Sequence, residues 1–375
     1  MEISAIYICP LKGLATLDPP DPERLGRAGQ AAKALGLKRL LLPVLEESLI
    51  QTTREKVRFL DGMAAALDRS ADAGLDAWLI APAQKVLGLD WVLPYLAGAA
   101  EDPGSGPVFV DRRVRHLRPF NWWADPSLVQ RRIRAFHELA AAVAGHPALT
   151  GWVVMDRALE WVRPDPELAD LVLKSYLGEI RDRDEAAPTY LGLGWRELLG
   201  PDLSSELVAQ VDGIKMNGLE DLPEELHVPG HPAGEVLLGA YLGALSQWLF
   251  DRPLELVLGW HLINGGIDRG EALEAVPLLS GRGISGIIWP SLVDPEPSLM
   301  HHPPWALEPG AGEVSLLDTH LEPKDSAEPL IKEITSVVPE FQSMGFIDIS
   351  KQEYAEDPGA HFARLWDHFR ESVDL

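Results

Sequence analysis

The chain has 375 residues, 57 of them acidic and 33 basic, for a formal net charge of -24. Such a field repels nucleic acid and anionic membrane surfaces, so neither is expected as a partner. A hydrophobic fraction of 46% supports a sizeable core, and the single cysteine, Cys9, excludes a disulfide framework or a thiolate zinc cluster.

Short apolar runs alternate with amphipathic stretches along the chain, the pattern of repeated βα units around a parallel sheet. The opening MEISAIYICP has no basic region ahead of its apolar run, so we expect no secretory signal and a cytoplasmic protein. The first strand is read over residues 3–9, and a helix follows from about 22 to 35 with Gly36 as its stop. The second strand spans 39–45, and its helix runs from about Thr52 to Ala73, ended by Gly74. The third strand spans 77–81. A Pro/Gly-rich stretch, 101–107, then leads into an irregular segment ending in Asn121-Trp122-Trp123. Asp125-Pro126 opens a strong helix over 127–144, because proline at a first helical turn gives up an N–H that has no partner there. The fourth strand is 149–155, and the next helix starts at Asp165-Pro166 and runs to about Arg181. The fifth and sixth strands are 189–193 and 213–216, with a helix over 235–250 after the sixth. The seventh, 254–258, is apolar in the manner of a doubly buried strand, and the eighth is 286–288. A helix over 326–337 closes the series, and a tail carries one more near 360–371.

Eight strands with intervening helices predict a single (β/α)8 TIM barrel over residues 1–340. A short C-terminal helical extension, 341–375, is expected to pack on it. The rival open, doubly wound sheet advertises a glycine-rich phosphate loop after its first strand. The segment Pro10-Leu11-Lys12-Gly13-Leu14 does not match one.

The segment from Trp122 to Ala158 is the most informative. A helix ends at Gly145-His146-Pro147, and Gly151-Trp152-Val153-Val154-Met155-Asp156-Arg157-Ala158 follows. It resembles the clan A glycoside hydrolases, especially the cellulase and mannanase barrels of family five. There a His-Pro pair precedes a fourth strand reading Gly-Trp, three residues, then Asn-Glu-Pro. Leu258-Gly259-Trp260 is similar to the family's seventh strand, where the nucleophilic glutamate follows a glycine. Ile288-Trp289-Pro290 through Asp294 is similar to its eighth, whose tryptophan floors the sugar site. The resemblance implies a carbohydrate ligand. It also places Asp156 at the family's asparagine, Arg157 at its acid/base glutamate and Trp260 at its nucleophile. Retaining hydrolysis needs two carboxyl groups about 5–5.5 Å apart. A guanidinium cannot act as a general acid near neutral pH, and an indole cannot attack an anomeric carbon. The implied protein is a degenerate glycosidase, a possible pseudoenzyme.

Barrel geometry puts strand ends and βα loops on one face. Asp156 and Glu160 lie there as candidate relocated acids, with Arg157 between them, and an Asp–Arg ion pair is the structural alternative. Glu46 and Glu47 end the second strand. Lys215 and Asn217 end the sixth, where a lysine can form a Schiff base, bind a carboxylate or pair with Asp156 or Glu160. Trp122, Trp123, Trp195, Trp260, Trp289 and Trp305 fall at strand ends or in loops, where indoles stack on pyranose rings. Trp152 and Trp161 are ambiguous, and Trp366 is read as packing. His261 and Asp294 complete the expected substrate-binding set.

Three functional readings follow. One is sugar binding with little or no hydrolysis. Another is hydrolysis by Asp156 or Glu160 with a partner such as Glu46 or Asp294, at the wider spacing of inverting chemistry. The third is a metal-dependent hydrolase built on His227, His231, His261, His301 and His302. Proline and glycine within His227-Val-Pro-Gly-His231 rule out a helical ligand pair, and no metal or cofactor is assigned.

Overall fold

The computed structural model describes the chain except residues 9–18, 51, 84, 87–88, 92–96, 102–106, 111–112, 120, 160–163, 218–233, 259–275, 281–282, 302–313, 338–343 and 374–375. Eight parallel strands form a closed barrel: β1 (Glu2–Ile6), β2 (Arg39–Leu45), β3 (Asp76–Ala83), β4 (Leu149–Asp156), β5 (Thr189–Leu193), β6 (Gly213–Met216), β7 (Leu254–Val257) and β8 (Ile284–Trp289). Each pairs with its sequence neighbour, and β1 meets β8 from Glu2↔Gly286 to Ala5↔Trp289, so no edge is left open. Among the described residues the helices between them, besides a single turn at Glu46–Leu49, are α1 (Pro22–Ala34), α2 (Thr53–Ala73), α3 (Pro126–Val143), α4 (Pro166–Arg181), α5 (Pro201–Val208), α6 (Gly234–Phe250) and α7 (Pro277–Ser280). After β8 come α8 (Ala327–Ser336), α9 (Lys351–Glu356) and α10 (Pro358–Ser372).

The helix starts reuse one device. Asp21, Asp125, Asp165 and Asp357 each cap a helix whose next residue is proline, and each carboxylate accepts from a backbone N–H of the first turn. The aspartate satisfies a donor that has no partner within the helix, and proline removes another. At α2 a Thr52–Glu55 capping box does the same work, and Gly74 ends the helix at φ 68, a left-handed conformation that glycine adopts without strain.

Several findings depart from the sequence reading. In the tail, where one helix is expected, two form (α9 and α10). Single helical turns form at Glu46–Leu49 and Pro277–Ser280, where none is expected. The segment between β3 and α3 is not irregular. It holds five short strands, Lys85–Val86, Leu89–Trp91, Ala97–Glu101, Pro107–Val110 and Arg113–Pro119, joined in one small sheet. Four of the five strands are two to five residues long, and the seven-residue Arg113–Pro119 carries three arginines and a histidine, so it lacks the apolar run by which the barrel strands are read. Between β5 and β6, where no helix is expected, a 3-10 turn (Trp195–Leu199) leads into α5.

α6 is apolar nearly all round because it is covered on both sides. Its inner side meets β7, and Tyr241 on its outer side lies within ring contact of Phe362, Trp366 and Phe369 of α10. The Tyr241 hydroxyl donates to the Phe362 carbonyl at 2.5 Å. No helix among the described residues is long and apolar enough to cross a membrane.

Candidate functional site

The barrel interior is filled, as a packed core and not a pore. Leu41, Trp78, Ile80, Val153, Val257 and Ile288 form an apolar cluster separate from the larger core between strands and helices. Polar side chains lie at its two ends. Toward the strand N-termini, Arg39 pairs with Glu255 and lies over the Trp78 ring, 4.1 Å from its centroid. Burial pushes the Glu255 carboxyl up from its ordinary range, and Arg39 opposes that shift.

Toward the strand C-termini, three buried residues close a ring of hydrogen bonds. Lys215 Nζ donates to Asp156 Oδ1 at 2.9 Å and to Asn217 Oδ1 at 2.6 Å, and Asn217 Nδ2 donates to Asp156 Oδ1 at 2.8 Å. Asp156 and Lys215 are each 2% exposed. Alternation along β6 explains the lysine. Ile214 and Met216 face the outer core, so Lys215 points into the barrel. Across the ladder stands Gly192, where an added Cβ would lie 2.3 Å from Asp156 Oδ1, so glycine makes room for the carboxylate. The chain leaves β4 sharply: Met155 and Arg157, on either side of Asp156, have φ of 50° and 56°. Left-handed backbone at two side-chain-bearing residues is sparsely populated and costs on the order of 1–2 kcal/mol each. Hydrogen bonds from Arg157 N–H to the Gly192 carbonyl at 3.0 Å and from Ala158 N–H to the Met155 carbonyl at 3.1 Å help hold it. The Arg157 side chain is buried.

Several expected site residues lie elsewhere. Glu46 is buried against Arg132 of α3, whose guanidinium covers the Trp122 ring at 3.5 Å, and Trp122 in turn stacks on Trp123 at 3.8 Å. Both tryptophans are only 4% exposed, so they house an ion pair and offer no platform to a ligand. Burial pushes the Glu46 carboxyl up despite Arg132, and its Oε1 has no hydrogen-bond partner among the described residues. Trp195 is buried near Phe362 of α10, with ring centroids 6.0 Å apart. Trp289 is fully buried and donates its indole N–H to the Val314 carbonyl. Ile288 takes the inward position on β8, which turns the Trp289 ring toward the outer core. Trp122, Trp123, Trp195 and Trp289, expected at the mouth, are thus buried in this structure. Asp294 pairs with Lys324 at 2.7 Å while its N–H donates to the Leu317 carbonyl, which fastens the post-barrel turn. Trp152 packs behind β4 near Phe136. His301 is exposed. Glu160, Trp161, His227, His231, Trp260, His261, His302, Trp305 and Cys9 lie outside the described residues, as does the Glu47 side chain. Among the described residues no group of three His, Cys, Asp or Glu side chains is placed to hold a metal ion.

Sequence reasoning missed Arg132 and the Arg39–Glu255 pair. A signal existed for the pair: Glu255 is the lone charge in the apolar run 254–258, and a charge in a doubly buried strand requires a partner. Arg132 sits in a run with Arg131 and Arg134, and nothing in the sequence distinguishes the buried one.

Comparison with solved structures matches this architecture closely. A GH5_18 protein of Streptomyces cattleya, solved with Manβ1-4GlcNAc, superposes with a TM-score of 0.67 at 17% identity, covering 99% of this chain and 92% of that one. The fold is that of the clan A glycoside hydrolase barrels. The GH5_18 protein of Bifidobacterium longum subsp. longum superposes with a TM-score of 0.65 at 14% identity, covering 91% and 81% of the two chains. An exo-β-1,4-mannosidase from an Opitutaceae bacterium gives a TM-score of 0.61 at 14% identity, covering 89% of this chain and 59% of that one. At such identities the likeness to these clan A barrels is one of fold. No family model matches the chain, and no curated protein matches it.

Proposed function

We propose that this clan A-like barrel binds an oligosaccharide at the C-terminal ends of its strands and does not hydrolyse it by the two-carboxylate retaining mechanism. The observation that carries the reading is the ring formed by Asp156, Lys215 and Asn217. A general acid must hold a proton to give away, and a nucleophile must have a lone pair free to attack. An aspartate whose Oδ1 accepts from both an ammonium and an amide is engaged as an acceptor by structural partners, which opposes the role of a general acid. Arg157, at the position matching the acid/base glutamate of the resembling family, stays protonated throughout the physiological range. The sequence places Trp260, not a carboxylate, after Gly259. The carbohydrate part of the proposal draws on the neighbours, two of which were solved with Manβ1-4GlcNAc.

The test is a panel of β-mannosides, β-galactosides and GlcNAc-containing disaccharides, followed by calorimetry for binding and by reducing-sugar release for cleavage. Saturable heat with at least one glycan, and no release above a heat-inactivated control, is the expected result. Release that disappears in Asp156→Asn would show an active hydrolase with relocated acids. Absence of heat with every glycan would remove the sugar reading itself.

A further inference from the structure

A cavity lies outside the barrel interior, where Leu49, Ile50 and the first turn of α2 meet the outer face of α3. Its volume is 440 Å³, within the range of about 300–1,000 Å³ usual for small-molecule sites. Lys56, Arg131 and Arg134 line it against one carboxylate, Glu138, and Leu128 forms part of an apolar wall. Lys56 and Glu138 pair with each other across the cavity. Arg131 and Arg134 are three residues apart on one helix and so stand side by side on one face. Arg131 also feels the buried Glu46 carboxylate. Arg134 has no carboxylate within ion-pair distance among the described residues.

Local charge here opposes that of the molecule. In a chain with 57 acidic and 33 basic residues, three cations and one anion among the described lining residues are a departure from the mean field, with Lys56 paired to Glu138 and Arg131 also partnered. Two adjacent guanidiniums present planar, multi-donor forks that suit the oxygens of a phosphate dianion. Glu138 adds an acceptor suited to hydroxyl groups. The space exceeds what a bare oxyanion fills.

We propose that this cavity binds a phosphate monoester on a small polyhydroxy body, the chemistry of a sugar phosphate, with Arg131 and Arg134 on the phosphate and Glu138 facing the hydroxyls. The site is separate from the strand-end ring, so an empty glycan panel leaves this proposal standing.

The experiment is isothermal titration of the full chain at low ionic strength with glucose 6-phosphate, inorganic phosphate and glucose. Expected is one-site binding of glucose 6-phosphate, tighter than inorganic phosphate, with glucose silent. Arg134→Gln should weaken it by about tenfold or more, as loss of a charge-assisted hydrogen bond implies. Arg58→Gln, which removes an exposed charge from α2 outside the cavity, controls for net charge and should leave the affinity within about twofold, the scale of a screened surface charge. No saturation by either phosphate up to about 20 mM, a free energy too small for a built site, overturns the proposal. An equal loss in Arg58→Gln overturns it as well. Equal affinity for the two phosphates keeps the anion site and overturns the assignment of the attached body.

Discussion

Lys215 and Asp156 show how a pair of charges survives inside an apolar barrel. Neither is solvated, so each depends on the other, with Asn217 as a third partner. Removing one charge strands its partner, at a cost of about 3–5 kcal/mol, whereas removing both avoids much of that penalty. Lys215→Met is therefore expected to lower stability strongly, and Lys215→Met combined with Asp156→Asn to recover a good part of the loss. Urea unfolding of the two singles and the double measures the coupling; additive effects would mean the pair is not formed. Tyr190 gives a second test at this scale. Burial, with a smaller push from Glu255, raises its phenol from 10.0 to about 12. The folded state thus favours the neutral phenol. The corresponding stability is fully present below pH 10 and is lost as pH rises through about 12. Burial raises Tyr176, Tyr241 and Tyr354 further still, so Tyr190 ionises first among these four. Phenolate absorbance should show a step near pH 12 that Tyr190→Phe removes.

At the scale of elements, the strand-end ring exists because β4, β5 and β6 are built to different specifications. β6 supplies the lysine, β4 supplies a carboxylate at a left-handed turn, and β5 supplies the absence of a side chain at Gly192. An alanine at 192 would bring its Cβ within 2.6 Å of the Asp156 Cα, and backbone cannot yield as a flexible side chain does. Gly192→Ala is predicted to cost about 1–3 kcal/mol through forced displacement of the β4 end. Differential scanning fluorimetry reads that cost, and an unchanged melting temperature would contradict the close approach. Helix positions were legible in the sequence wherever an Asp-Pro pair or a capping box announced them, because these signals are local. The small sheet between β3 and α3 was not, because four of its strands have five residues or fewer and the longest, Arg113–Pro119, is rich in charge instead of apolar.

For the whole molecule, the net charge of -24 is a standing repulsion that folding concentrates on a smaller surface. Raising NaCl from about 10 mM to about 150 mM shortens the Debye length from about 30 Å to about 8 Å. The melting temperature should rise over that interval. A fall would mean that attractive surface pairs such as Arg69–Glu23 and Arg364–Asp348 outweigh the repulsion.

The barrel itself was determined by the sequence. Apolar runs of strand length, spaced by amphipathic helices, have few ways to bury both faces of a parallel sheet, and the closed form does so without an edge. The resemblance at Gly151-Trp152 through Arg157 pointed to the same fold. Which way each strand-end side chain faces was decided only by tertiary structure. A shift of one residue exchanges inside for outside, and the sequence holds no local marker for that choice. So Trp289 and the Trp122–Trp123 pair, expected at the mouth, are packed away, while Lys215 and Asp156 meet within the barrel.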